Sequence, residues 1–151
     1  MDLILWRHAD AENGSHDSER KLTAKGIKQA ARVAKWLRAR LPEDAVVLAS
    51  PAKRAQQTAR AFTADYKTVT EIGTSASAKD VVIACGWPGN ERTVVVVVGH
   101  QPTLGETAAL LLTGAAQQWS LKKGAVVWIA SRAETGDASA VLRAAISPDL
   151  L

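Results

Sequence analysis

Arg7, His8, Arg54 and His100 are the residues of this chain whose types and settings could handle an anionic group. Arg7-His8 closes the apolar run Leu3-Ile4-Leu5-Trp6. Ser50-Pro51-Ala52-Lys53-Arg54 follows Val46-Val47-Leu48-Ala49, and Gly99-His100-Gln101-Pro102 follows the valines 94–98. Short apolar runs read as buried strands, and open α/β sheets place ligand chemistry at the ends of such strands. A tetrahedral phosphoryl group suits this set. Arginine meets its oxygens with a planar fork of donors and stays charged throughout. An imidazole is a nucleophile when one ring nitrogen is unprotonated and aimed at phosphorus. Its other nitrogen then needs an acceptor, such as a backbone carbonyl, to fix the tautomer. On this reading Arg7 and Arg54 clamp the oxygens, His8 attacks, and His100 donates to a phosphate oxygen. Backbone N–H groups near Gln101 and in the Asn13-Gly14-Ser15 loop would add donors. Taken singly, each of the four is explained as well by ion pairing or capping at a strand end; the combination carries the reading.

The elements that must position these residues are legible in outline. A polar stretch from Asp10 to Arg20 is a loop. Thr23 is placed to cap a helix whose Ile27, Ala30, Ala34, Leu37 and Leu41 form a core-facing stripe, ended by Pro42. Lys25, Lys28, Arg32 and Lys35 fall on the opposite face, either simply solvated or a docking face for an acidic partner. Ser50 is the cap candidate of a second helix, reaching to about Ala64, with Pro51 in its first turn. Thr68–Ile72 reads as a short strand and Ala78–Cys85 as a helix capped by Ser77. The valines 94–98 form a central strand buried on both faces. Leu104–Leu112 is a helix closed by Gly114. Ala125–Ala130 and Ala140–Ile146 are two late strands, antiparallel and joined through Glu134-Thr135-Gly136-Asp137. The alternation predicts a three-layer α/β/α fold with a largely parallel central sheet and a late antiparallel strand.

Composition bounds the function. At 151 residues, with 47% hydrophobic and 23% charged residues, the chain fits one globular domain spanning 1–151. No apolar run approaches bilayer length. The single Cys85 offers no disulfide framework, which points to a reducing, cytoplasmic setting. Residues 1–75 carry 13 Lys and Arg against 9 Asp and Glu, while residues 76–151 carry 6 of each. The positive excess lies in the half that supplies Arg7, His8 and Arg54, and favours an anionic substrate. Tyr and Phe occur once each beside five Trp, without the aromatic–basic interleaving of a nucleic-acid platform. No nucleic acid, membrane, metal or other cofactor is expected, and a monomer is.

The pattern resembles the histidine phosphatase superfamily, and within it the small SixA-type phosphohistidine phosphatases. The residues that carry the resemblance are Arg7-His8-Ala9-Asp10-Ala11, Asp17, Arg20, Leu22-Thr23, Gly26, Ser50-Pro51 with Arg54, Gln57 and Thr58, and Gly99-His100-Gln101-Pro102. It implies a phosphoglycerate-mutase-like fold, a covalent phosphohistidine intermediate at His8, and a phosphate pocket completed by Arg7, Arg54 and His100. Ala9 stands where most of the superfamily has glycine, as in other small members. Larger members supply a carboxylic acid after the second helix and an inserted cap. Here the region offers Glu71, with Asp80 further on, and there is no room for a cap. An alkoxide leaving group gains much from such an acid, whereas the protonated imidazole of a phosphohistidine departs without a strong acid. The expected substrate is therefore a phosphohistidine protein domain. A small-molecule phosphomonoesterase and a non-catalytic phosphate- or phosphoprotein-binding module are the alternatives. Asp10 is a candidate to hold an arginine in place and Glu71 a candidate acid. His16 reads as a solvated loop residue, Glu106 as a helix-dipole partner, and Cys85 as a buried small hydrophobe.

Overall fold

The computed structural model describes residues 1–90, 93–132 and 139–151, and among them strands and helices alternate up to a final pair of strands. They are β1 (Asp2–Arg7), α1 (Ala24–Arg38), β2 (Val46–Ala49), α2 (Lys53–Phe62), β3 (Lys67–Thr68), α3 (Ala78–Cys85), β4 (Val94–Gly99), α4 (Thr103–Thr113), β5 (Val126–Ser131) and β6 (Ala140–Ile146). They build a six-stranded sheet in the order β3-β2-β4-β1-β5-β6. The β1–β4, β2–β4 and β2–β3 pairs are parallel; β5 runs antiparallel to β1, and β6 to β5. The expected three layers, parallel centre and antiparallel late strands are all present. Among the described residues no helix is long and apolar enough to cross a membrane. The turn expected at 134–137 lies outside the described residues.

Successive strand side chains point to opposite faces, and here both faces are apolar. Ile4, Trp6, Val96 and Val98 pack with Val33, Leu37, Ala55 and Ala59 under α1 and α2. Leu3, Leu5, Val95 and Val97 pack with Val81, Cys85, Leu104 and Ala108 under α3 and α4. Leu3, Ile4, Leu5 and Trp6 are completely buried. Each such side chain contributes about 1.5–3 kcal/mol, so the strand leading into His8 is firmly anchored.

Register then sets the site. Arg7 stands opposite Gly99, and Ala49 opposite Val98. The ladder runs one step further at each end, with His8 N–H donating to the Gly99 carbonyl and Ser50 N–H to the Val98 carbonyl. Three parallel strands therefore finish side by side, and the residues that follow them are brought together.

Several local expectations need correction. Thr23 caps α1, accepting from Gly26 N–H, but Ile27 is 57% exposed rather than on the core stripe. Gly26 takes the inward position, because a Cβ there would lie 2.0 Å from the Asp10 carbonyl oxygen. The helix starts flush against the backbone that follows His8. Ser50 does not cap α2, which begins at Lys53 behind Ala52. Ser50 still belongs to the sheet end, and its hydroxyl accepts from Ala52 N–H. The expected strand 68–72 shrinks to Lys67–Thr68 followed by a 3-10 turn at Thr70–Ile72. Ser77 does cap α3, sharing a reciprocal capping box with Asp80, and Gly86 ends that helix with φ 69°.

Candidate active site

At the end of β1 the His8 imidazole is only 6% exposed. Its Nδ1 lies 2.7 Å from the Ala9 carbonyl oxygen and its Nε2 lies 3.2 Å from Arg54 Nε. A carbonyl only accepts and a guanidinium only donates. The two neighbours therefore agree on one tautomer: Nδ1 carries the proton and Nε2 keeps its lone pair. Burial, together with the charges of His100, Arg54 and Arg7, pushes the His8 pKa down to about 3 despite the favourable bond to Ala9. The ring is neutral at physiological pH, as a nucleophile requires.

Arg54 enters from the first turn of α2 and is 4% exposed. Its Nε faces His8, its Nη2 approaches His100 Nδ1 at 3.5 Å, and its Nη1 donates to the Asp17 carbonyl at 2.7 Å. The Asp17 carboxylate also accepts from Nη2 at 3.2 Å. Thr58, one turn along the same helix, donates to the Arg54 carbonyl and accepts from Ala9 N–H. That hydroxyl ties the arginine's helix to the histidine's loop.

His100 stands over His8 with ring centroids 5.2 Å apart. Its Nε2 lies 2.7 Å from Ser50 Oγ. A hydroxyl both donates and accepts, so His100 can present Nδ1 as an acceptor to Arg54 or as a donor to an anion. Burial first, then the charges of Arg54, Arg7 and Arg20, push its pKa down to about 4 against the opposing pull of Asp17. Arg7 donates through Nη1 to the Leu121 carbonyl, and its buried Nε has no partner among the described residues. A buried unsatisfied donor is costly unless a ligand meets it, and this one belongs to the residue beside His8.

Both histidines therefore favour neutrality in the fold. The folded chain binds fewer protons than the unfolded one between pH 6.5 and about 3, so stability is present at neutral pH and falls as pH drops through that window. His8 alone should cost on the order of 3 kcal/mol by pH 4. Thermal melts of the wild type should show Tm falling steeply from pH 6.5 to 4, and less steeply in His8→Gln; parallel slopes would contradict the assignment.

The other sequence candidates are placed less centrally. Asp10 pairs with Lys123 at 2.7 Å and accepts from Thr23, not from an arginine. Hydrogen bonds from Lys123 and Thr23 hold its carboxyl below the usual range, so it stays ionised. Glu71 is exposed in the 3-10 turn and bonded to Thr70. The Gln101 side chain is engaged away from the histidines, accepting from Gly105 N–H and donating to the Trp119 carbonyl. Its backbone N–H, the sequence candidate, has no acceptor among the described residues. His16 is exposed and bonded to Ser15. The basic face of α1 at Lys25, Lys28, Arg32 and Lys35 is exposed. Sequence reasoning gave Ser50 the wrong task, and it named Asp17 without one.

The histidine, arginine and strand-end geometry can be compared with known proteins. Residues 3–77 match the profile of the Histidine phosphatase superfamily (branch 1). The phosphohistidine phosphatase SixA of Escherichia coli K12 is 30% identical over 126 residues, covering 76% of each chain. An uncharacterised protein of Mycobacterium tuberculosis is 35% identical over 108 residues, 70% of this chain and 68% of that one. Among solved structures, that of the protein histidine phosphatase SixA complexed with tungstate superposes with a TM-score of 0.85 at 24% identity, covering 99% of both chains.

Proposed function

The chain belongs to the histidine phosphatase superfamily and is a phosphatase, and from that premise we propose that it hydrolyses phosphohistidine on a protein domain through a covalent intermediate on His8. The observation that carries the reading is the His8 ring, with Nδ1–H on the Ala9 carbonyl and an unprotonated Nε2 toward Arg54. Nε2 attacks phosphorus, the bond to the leaving atom breaks, and His8 becomes a phosphorylated imidazolium whose new charge the Ala9 carbonyl stabilises. Arg7 and Arg54 hold the equatorial oxygens, with His100 donating from Nδ1 while Ser50 donates to its Nε2. Water then attacks phosphorus, and the P–Nε2 electron pair returns to the ring, regenerating the starting tautomer and releasing inorganic phosphate. No step calls on a metal or other cofactor.

The leaving group ranks the substrates. Of the carboxyl candidates, Asp10 is bound to Lys123, and Glu71 is exposed without a bond to the histidine–arginine cluster. Neither is positioned as the proton donor that an alkoxide would need. An imidazole already protonated on its far nitrogen departs without one. Single-turnover assays should therefore give a rate on a synthetic phosphohistidine peptide at least tenfold above that on an alkyl phosphate. Faster hydrolysis of the alkyl phosphate would move the small-molecule phosphomonoesterase to the front. Phosphate binding without turnover of either substrate would move the binding module there.

A further inference from the structure

The Asp17 carboxylate is a charged group of the site for which the mechanism above has no task. It stands in the 3-10 turn Asp17–Glu19, at the tip of the excursion closed by the Ala11–Leu22 bridge. Arg20 holds Oδ1 at 3.1 Å and Arg54 holds Oδ2 at 3.2 Å, while the Asp17 carbonyl receives Arg54 Nη1 at 2.7 Å. The position is therefore built from both side chain and main chain. Yet the Asp17 side chain is 59% exposed where that of Arg54 is 5%. One guanidinium has the buried nucleophile at its Nε and this open carboxylate at its outer end.

We infer that Asp17 accepts the free ring N–H of the substrate's phosphohistidine and so holds that ring as the imidazolium, selecting a phosphoramidate over a phosphate ester. This rests on the phosphohistidine reading of the same site. A phosphorylated imidazole has phosphorus on one nitrogen and, when protonated, a hydrogen on the other. His8 Nε2 forms its bond to phosphorus as the P–N bond to the substrate breaks, and that electron pair stays on the departing nitrogen. The ring leaves as neutral imidazole with its N–H intact, so no proton has to be delivered in the transition state. Without that proton it would leave as imidazolate, a far poorer leaving group. Asp17 thus does for the substrate ring what the Ala9 carbonyl does for His8.

Other groups around Asp17 agree with this role. Desolvation pushes its carboxyl upward, but the hydrogen bond and charge of Arg54, with those of Arg20, outweigh it and hold the group below the usual carboxylate range. An ionised carboxylate attracts an imidazolium and has no proton to give an alkoxide. The titratable groups facing it are Arg20, Arg54 and, through electrostatic reach, His100.

Asp17→Asn keeps an acceptor for Arg54 and removes the charge. The test compares kcat/KM on a phosphohistidine peptide with that on phenyl phosphate, across pH 5–8, for wild type, Asp17→Asn and Asp17→Glu. The inference expects the phosphohistidine-to-phenyl-phosphate ratio to fall about tenfold or more in Asp17→Asn. The same variant should recover on the phosphohistidine peptide as pH falls, because solvent then supplies the proton. Asp17→Glu should restore much of the ratio. An unchanged ratio and an unchanged pH profile would overturn the inference and leave the phosphohistidine reading standing. A wild type that hydrolyses phenyl phosphate but not the phosphohistidine peptide would overturn both.

Discussion

Replacing His8 with alanine is expected to lower turnover of any phosphorylated substrate by roughly 10⁴-fold or more, and to abolish the acid-labile phosphoenzyme expected of the wild type. The size of the effect follows from what the ring does. Among the described residues neither other histidine shares its setting: His100 is turned to Ser50 and Arg54, and His16 is exposed in the loop. On the proposed mechanism, the arginines left in His8→Ala would still stabilise charge on an attacked phosphoryl group but could not form the covalent bond. The check is a rapid-quench single-turnover experiment with a phosphohistidine peptide and an aryl phosphate, the quenched protein being assayed for alkali-stable phosphate. Undiminished turnover in the variant would sink the nucleophile assignment.

Arg54→Lys is expected to cost about 10²–10³-fold in kcat/KM, although the charge is conserved. Arg54 directs Nε to His8, Nη2 to His100 and Asp17, and Nη1 to the Asp17 carbonyl, all from one rigid plane. An ammonium is a single point of charge and cannot hold the Asp17 turn, orient the His8 lone pair and grip phosphate oxygens together. Steady-state kinetics should show both a raised KM and a lowered kcat. A loss smaller than tenfold would mean that Arg54 supplies bulk positive charge and nothing geometric.

Much of this arrangement could be read from the residues in order, because three parallel strands were recognisable and strand ends are where such sheets gather polar side chains. Arg7, His8, Arg54 and His100 are candidates on that ground, and the register of β1, β2 and β4 explains why they lie at one end of the sheet. The sequence was less informative where a side chain serves the tertiary structure instead of its own element. Ser50 looks like a helix cap since serine before proline is a good one, but its hydroxyl is drawn to His100, a partner fifty positions away. Ile27 fits the helical stripe by period, yet the close approach of Asp10 selects the glycine next to it as the inward residue. Asp17 sits in a polar loop where any aspartate looks solvated. Only the return of that loop to α2, fixed by the Ala11–Leu22 bridge, reveals its partner. Local propensity cannot see such long-range pairings.

The central place of β1 has a consequence for how this protein comes into being. Its two neighbours are β4, beginning at Val94, and β5, beginning at Val126. During synthesis the earliest strand of the sheet therefore emerges long before either flank exists. Leu3-Ile4-Leu5-Trp6 must wait as an unpaired, strongly apolar segment, the kind that nascent chains aggregate through. His8 is translated well before Arg54 and His100, and its chamber is incomplete until β4 is in place beside β1. The polar excursion and the basic helix that follow β1 emerge directly behind it and set charged residues next to the waiting segment.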